Sequence, residues 1–209
     1  MLTLHAHPGW GSAIVELQLA HYSMEFKLID HGDMFASAEA RAALAPLNPI
    51  SQLPTVMLAD GTVMTESAAI TLLLADMAAS DTLVPAPGDP TRAAFLRWLV
   101  FIVANIYPTF TYADDPSRFV KPEAARAGFR AEVDAHAQRL WAMVDHAAGD
   151  RWFLGERFSA LDLYIGVMTL WRPRQDWFAV NTKRLAAIGD AARALPALLP
   201  VWQRNFPSA

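Results

Sequence analysis

Apolar and polar positions follow two periods along this chain, a two-residue period in short stretches near the N-terminus and a helical one between and beyond them. Leu2 to His5 alternates as a strand, Ser12 to Ala20 has helical spacing, Glu25 to Asp30 reads as a second strand, and Ala36 to Ala45 returns to a helix. Leu53-Pro54 then pins an extended backbone, because the residue before proline is disfavoured in the helical region. Two short β-rich runs, Thr55 to Leu58 and Thr62 to Met64, flank Asp60-Gly61, a dipeptide preferred where a two-residue hairpin turn needs positive φ. Glu66-Ser67 opens a further helix carrying Ile70, Leu73, Leu74 and Met77 at helical spacing.

This order, β-α-β followed by α-β-β-α, predicts a parallel pair joined through a helix and then an antiparallel hairpin, the requirement of a thioredoxin-like α/β domain over residues 1–78. Residues 79–90 carry prolines and glycine without apolar periodicity and predict a semi-rigid linker. From residue 91 to 209 the pattern is helical, with predicted helices at Thr91 to Phe110, Glu123 to Ala147, Ala160 to Trp171, Thr182 to Ala194 and Ala197 to Phe206. The second domain is therefore expected to be an all-α helical bundle. Within it, Ser159 and Asp162 have capping-box spacing, with Phe158 and Leu163 placed as a hydrophobic staple, so this motif is read as structural.

Composition narrows the function. At 209 residues, 54% hydrophobic and 18% charged, with a net charge of −4, the chain is globular and has no basic footprint for nucleic acid. The opening MLTLHAHPGW lacks a basic segment followed by an apolar core, and the most apolar run, Phe95 to Tyr112, is interrupted by Arg97, Asn105 and Pro108, so the expectation is a soluble, cytoplasmic protein without membrane contact. Cysteine is absent, which removes disulfides, thiolate metal sites and any mechanism with an enzyme sulfur nucleophile. His5 and His7 form an H-x-H pair, but no compact set of further ligands accompanies them, and no metal is expected.

Residues Asn48 to Ile70 read NPISQLPTVMLADGTVMTESAAI. This stretch resembles the glutathione-binding segment of the glutathione S-transferase family, whose pattern is N-P-x-x-x-x-P followed about twelve residues later by E-S-x-A-I. The [ST]-x-x-D cap at Ser159 resembles one in the family's second domain, extending the likeness beyond the first 78 residues. The resemblance implies the thioredoxin-like fold, glutathione as co-substrate and a homodimer. It also implies that Leu53, before Pro54, offers its backbone to the cysteinyl part of glutathione, while Glu66 and Ser67 hold the γ-glutamyl end with Gln52 nearby. Independently, the N-terminus of the helix opened at Ser67 is suited to a carboxylate.

Such an enzyme needs the bound thiol ionised. At a reference pKa of about 8.5 only roughly 3% is thiolate at pH 7, and lowering the pKa to about 6.5 represents about 2.7 kcal/mol of preferential stabilisation. The relevant loop is His7-Pro8-Gly9-Trp10-Gly11-Ser12, where family members place a Tyr, Ser or Cys. Here Ala6 falls at the tyrosine position, Trp10 near that of the serine in one branch, and Gly11 at that of the cysteine, so none of those residues is retained. Ser12, the loop's only side-chain hydroxyl, is the candidate donor to the thiolate; a plain N-cap is the equal alternative, and the backbone N–H of Gly11 or Ser12 is a third. His7 borders the same loop and is a secondary candidate.

An apolar electrophile is expected to meet the sulfur between the domains, in a pocket lined by Trp10, Tyr107, Phe110, Tyr112 and Trp171, although aromatic residues at helical spacing are also ordinary core. Arg172 and Arg174 are read either as cations for an anionic substrate tail or as a solvated loop. The leading expectation is a glutathione S-transferase joining the thiolate to a hydrophobic electrophile by substitution or addition. The alternatives are a non-enzymatic, transferase-like interaction protein and a glutathione-dependent peroxidase or ether-cleaving enzyme.

Overall fold

The computed structural model describes residues 1–207. Along the chain run β1 (Leu2–Ala6), α1 (Ser12–His21), β2 (Phe26–Asp30), α2 (Ala38–Leu44), β3 (Thr55–Met57), β4 (Val63–Met64) and α3 (Ser67–Ala78). The helices α4 (Arg92–Phe101), α5 (Tyr107–Asp114), α6 (Glu123–Ala147), α7 (Ala160–Met168), α8 (Gln175–Asn181), α9 (Lys183–Arg193) and α10 (Leu199–Asn205) follow. Contacts divide the chain into two compact units, Met1–Val84 with the segment from Ala191 onward, and Pro85–Asp190.

In the first unit the four strands form one sheet in the order β2-β1-β3-β4. β1 pairs parallel with β2, and β3 pairs antiparallel with both β1 and β4. This is the predicted thioredoxin-like arrangement. Alternation puts Leu2, Leu4 and Ala6 of β1 on the face that packs with Val15 and Leu19 of α1, Val56 of β3, and Ile70 and Leu74 of α3. The hairpin differs from the predicted two-residue turn: Leu58 and Thr62 still bond, at 2.8 Å, and the loop is Ala59-Asp60-Gly61. Gly61 takes φ 89° at its last position, the left-handed residue that a three-residue hairpin loop requires.

The segment from Ala191 onward, expected within the second domain, packs with the first unit instead. The reason is a polar match on the outer side of α1: buried Glu16 accepts from Asn205 Nδ2 at 2.7 Å and pairs with Arg204. Residues 79–84, expected as part of a semi-rigid linker, pack with the first unit as well. Leu83 and Val84 are buried, and Thr82 hydrogen-bonds His21 at 3.0 Å.

The second unit is helical, centred on α7, whose nine residues are all buried, apolar all round except for the capping Asp162. The capping box predicted at its start is present. Asp162 accepts from the backbone N–H of Ser159 and of Phe153, both at 2.7 Å, and its burial pushes the carboxyl up to about 6. Between α4 and α5, Ile102–Ile106 forms a π-helical turn closed by the Tyr107 N–H on the Ile102 carbonyl. This turn precedes Pro108, which has no N–H to give and whose ring would crowd a regular α-helix. The whole stretch Arg92–Asp114 is long and apolar enough to cross a membrane, yet in this unit it buries Phe95, Trp98, Leu99 and Ile102 in the core. Helix α8 lies where a loop was expected after Pro173.

Candidate active site

Strand register assembles one end of the sheet. His5 pairs with Thr55 and Val56 with Met64. Because both pairings are antiparallel, the chain after β1 (His7 onward), the chain before β3 (Leu53-Pro54) and the chain after β4 (Thr65-Glu66) lie at the same end of the sheet. The β1–α1 loop, the Leu53-Pro54 segment and the start of α3 therefore share one sheet end, although they lie far apart in sequence.

Within the first of these segments, the loop is held firmly. Ser12 Oγ accepts from the His7 N–H at 3.1 Å and donates to the His7 carbonyl at 3.1 Å, so the hydroxyl expected to face the sulfur is turned onto the backbone and is 1% exposed. Gly11, not Ser12, occupies the N-cap of α1. The opening amides of α1, at Gly11 and Ser12, remain the groups that a helix start leaves without intrahelical acceptors. Gly9, at φ 77°, donates its N–H to Asn205 Oδ1 at 3.2 Å, and a β-carbon there would approach the Asn205 carbonyl at 3.4 Å. The C-terminal helix thus braces this loop. Trp10 packs against Phe35 with centroids 5.0 Å apart and meets the His7 ring edge-on at 5.4 Å. His7 Nδ1 lies 2.9 Å from Asp30 Oδ1.

In the second segment, Leu53-Pro54 is a cis peptide bond. Buried Asn48 organises the turn before it, donating through Nδ2 to the Gln52 carbonyl at 2.9 Å and to Thr55 Oγ1 at 3.0 Å. Pro54 is buried, Leu53 half-buried, and Gln52 exposed. The third segment has Glu66 as N-cap of α3 at φ 63°, ψ 101°, exposed and without a side-chain cap bond. A non-glycine residue held there stores strain of about 1–3 kcal/mol, and such outliers cluster at ligand sites. Ser67 beside it is buried, and its carbonyl accepts from Thr71 Oγ1 at 2.9 Å.

The aromatic residues expected to line a substrate pocket are distributed. In the second unit Tyr107, Phe110 and Trp171 form one cluster, with Trp171 5.8 Å from Tyr107 and 5.3 Å from Phe110. Tyr112 does not join it. Its ring packs on Phe119 at 4.9 Å and borders a separate cavity of about 370 Å³ with Asn105, Phe129 and His136. Arg172, one of the cations considered for a substrate tail, is bound to Asp114 at 2.6 Å and Asp134 at 2.9 Å, and these carboxylates raise its pKa against the opposing effect of burial.

Sequence reasoning treated His7 as secondary and did not find its Asp30 partner. The available signal was the parallel pairing of β1 and β2, which aligns Ala6 with Asp30. It also missed Asn205, for which no local pattern exists. Among the described residues, no group of three or more His, Cys, Asp or Glu side chains is placed to hold a metal ion.

A mixed sheet of this topology, with helices on its connections, defines a thioredoxin-like module, here continued by a helical unit. The chain belongs to the glutathione S-transferase family of enzymes. It is 35% identical over 206 residues, 98% of each chain, to the uncharacterized GST-like protein YncG of Escherichia coli (strain K12). It is 28% identical over 170 residues to glutathione S-transferase GstA of Escherichia coli O157:H7, covering 81% of this chain and 82% of that one. Among solved structures it matches a glutathione transferase homolog from Sulfitobacter with bound glutathione, at TM-score 0.81 and 21% identity over 96% of both chains. That likeness concerns the fold. No family model matches the chain.

Proposed function

We propose that this protein is a glutathione transferase that binds glutathione at the sheet end described above and joins its thiolate to a hydrophobic electrophile by substitution or addition. The observation that supports this reading is that strand direction brings the β1–α1 loop, the Leu53-Pro54 segment and the start of α3 to one end of the sheet. Leu53 would pair with the cysteinyl backbone, and Glu66, Ser67 and the opening amides of α3 would hold the γ-glutamyl group, with Gln52 beside them. The amides of Gly11 and Ser12 would stabilise the thiolate, with the Ser12 hydroxyl bracing the loop from which they project. Tyr107, Phe110 and Trp171 offer the aromatic surface best suited to an apolar electrophile, with Trp10 and Tyr112 as further candidates. Family membership supports action as a cytoplasmic homodimer without metal.

Calorimetric titration with glutathione, combined with the ultraviolet thiolate absorbance of the bound ligand across pH, tests the reading. Saturable binding with thiolate appearing well below the free thiol's pKa is expected. Glu66→Ala should weaken binding roughly 30-fold, the loss of charge-assisted hydrogen bonds worth about 2 kcal/mol; undiminished affinity would overturn the site. Binding without ionisation would instead indicate an interaction protein.

A further inference from the structure

We propose that His7 accepts the proton of the glutathione thiol, with Asp30 orienting its ring and the Ser12 hydroxyl fixing its backbone. This rests on the glutathione-transferase reading and goes beyond it by naming the base.

Placement comes first. β1 and β3 pair antiparallel, so His7, directly after β1, and Leu53-Pro54, directly before β3, leave the sheet at the same end. His7 therefore enters the β1–α1 loop beside the segment whose Leu53 is assigned to the thiol-bearing residue of the ligand.

The ring is oriented as a base requires. Its Nδ1 lies 2.9 Å from Asp30 Oδ1, and its plane stands edge-on to Trp10. Burial acts to raise the Asp30 carboxyl, but hydrogen bonds from His7 and the Gly32 amide outweigh this and hold it below the ordinary carboxylate range. An ionised Asp30 accepts, so Nδ1 carries the hydrogen and Nε2 presents a lone pair. A base within reach of a nucleophile and oriented by a third group is the general arrangement for activating a weak nucleophile.

The backbone of His7 is fixed as well. One hydroxyl, Ser12 Oγ, engages both its N–H and its carbonyl. Ser12 is thus a positioning residue for His7. The contrast with His5 is instructive: that ring is buried, its Nδ1 lies 2.8 Å from His31 Nε2, and burial together with His31 and Lys27 lowers its pKa. Asp30, at the end of β2, is the titratable group in contact with His7; His31 follows it in sequence and bonds His5.

In the step itself, the S–H bond breaks, the proton passes to Nε2, and the electron pair stays on sulfur. The resulting imidazolium is balanced by the Asp30 carboxylate. As sulfur bonds to the electrophilic carbon, the proton goes to the departing group in a substitution, or to the adjacent carbanion in an addition.

The test follows bound-glutathione thiolate absorbance against pH in wild type, His7→Gln and Asp30→Asn, with calorimetric affinity and melting temperature in parallel and chlorodinitrobenzene as the electrophile probe. His7→Gln is expected to bind glutathione within about threefold of wild type. Its thiolate midpoint should rise by about one pH unit or more, a tenfold loss of ionisation. Its kcat should fall roughly 100-fold with little change in KM. Asp30→Asn should shift both quantities in the same direction by less, and it carries the test if His7→Gln does not fold. An unshifted midpoint in a variant that still binds overturns the His7 assignment alone. Failure of wild type to bind glutathione overturns the transferase reading, and this assignment with it.

Discussion

Helix α7 begins at Ser159 with backbone and side chain tied to a buried carboxylate, whereas α3 begins at Glu66, an exposed residue at φ 63° whose side chain makes no cap bond. Both helix starts have the same physical need, since the first amides of any helix lack intrahelical acceptors. At α7 the capping box meets the need internally: Asp162 takes the N–H of Ser159, the Ser159 side chain takes that of Asp162, and the same carboxylate also ties down the Phe153 N–H. At α3 the backbone is strained and the carboxylate faces outward. One start is closed by its own side chains and the other, in the proposed function, serves the ligand, and both begin with a serine and an acidic residue in close sequence.

The sharpest way to break this comparison is to remove the internal acceptor. Asp162→Ala leaves two buried amides without partners and should cost about 3 kcal/mol, lowering Tm by roughly 10 °C with glutathione affinity unchanged. Unaltered melting would mean the cap does not carry the helix.

A somewhat smaller effect isolates the charge. The Asp162 carboxyl is raised from 3.8 to about 6 by burial, so the folded protein binds this proton more tightly than the unfolded chain. Stability from this group is therefore present below 3.8 and is lost as pH rises through about 6. Relative to Asp162→Asn, wild type should gain about 2–3 kcal/mol on acidification across that window, as read from urea unfolding midpoints at successive pH values. A pH-independent difference would refute the buried-charge account.

The smallest effect sharpens the comparison from the α3 side. Glu66→Gly relieves a left-handed backbone, and after the entropy cost of glycine it should gain about 1 kcal/mol in stability while losing glutathione affinity. Loss of stability in that variant would show that Glu66 serves folding.

Much of the architecture was legible. The hairpin, the helix at Glu123–Ala147, the Ser159 capping box and the thioredoxin-like order each follow from a local signal of turn residue, period or cap. The Leu53, Glu66 and Ser67 segment was legible as a motif because its parts lie close in sequence. The β1–α1 loop was only half legible: its residues could be named, but not the turn of the Ser12 hydroxyl onto His7 or the Asp30 partner contributed by β2. Glu16 and Gln18 are polar residues of α1 that are nonetheless buried, against partners remote in sequence. Tyr112 shares a helix with Tyr107 and Phe110 but turns away from their cluster.

By itself the sequence determined most of the strands and helices, the Ser159 cap, and that any glutathione chemistry must do without an enzyme thiol, because these depend on neighbours within a few residues or on composition. The tertiary structure decided which polar groups, remote in sequence, meet one another. Asn205 reaches Glu16 across 189 residues, and Ser12 closes on His7 where two registers and a helix start converge. A hydrogen bond is a pairing of two positions in space, and no periodicity within one segment records where the other partner will stand.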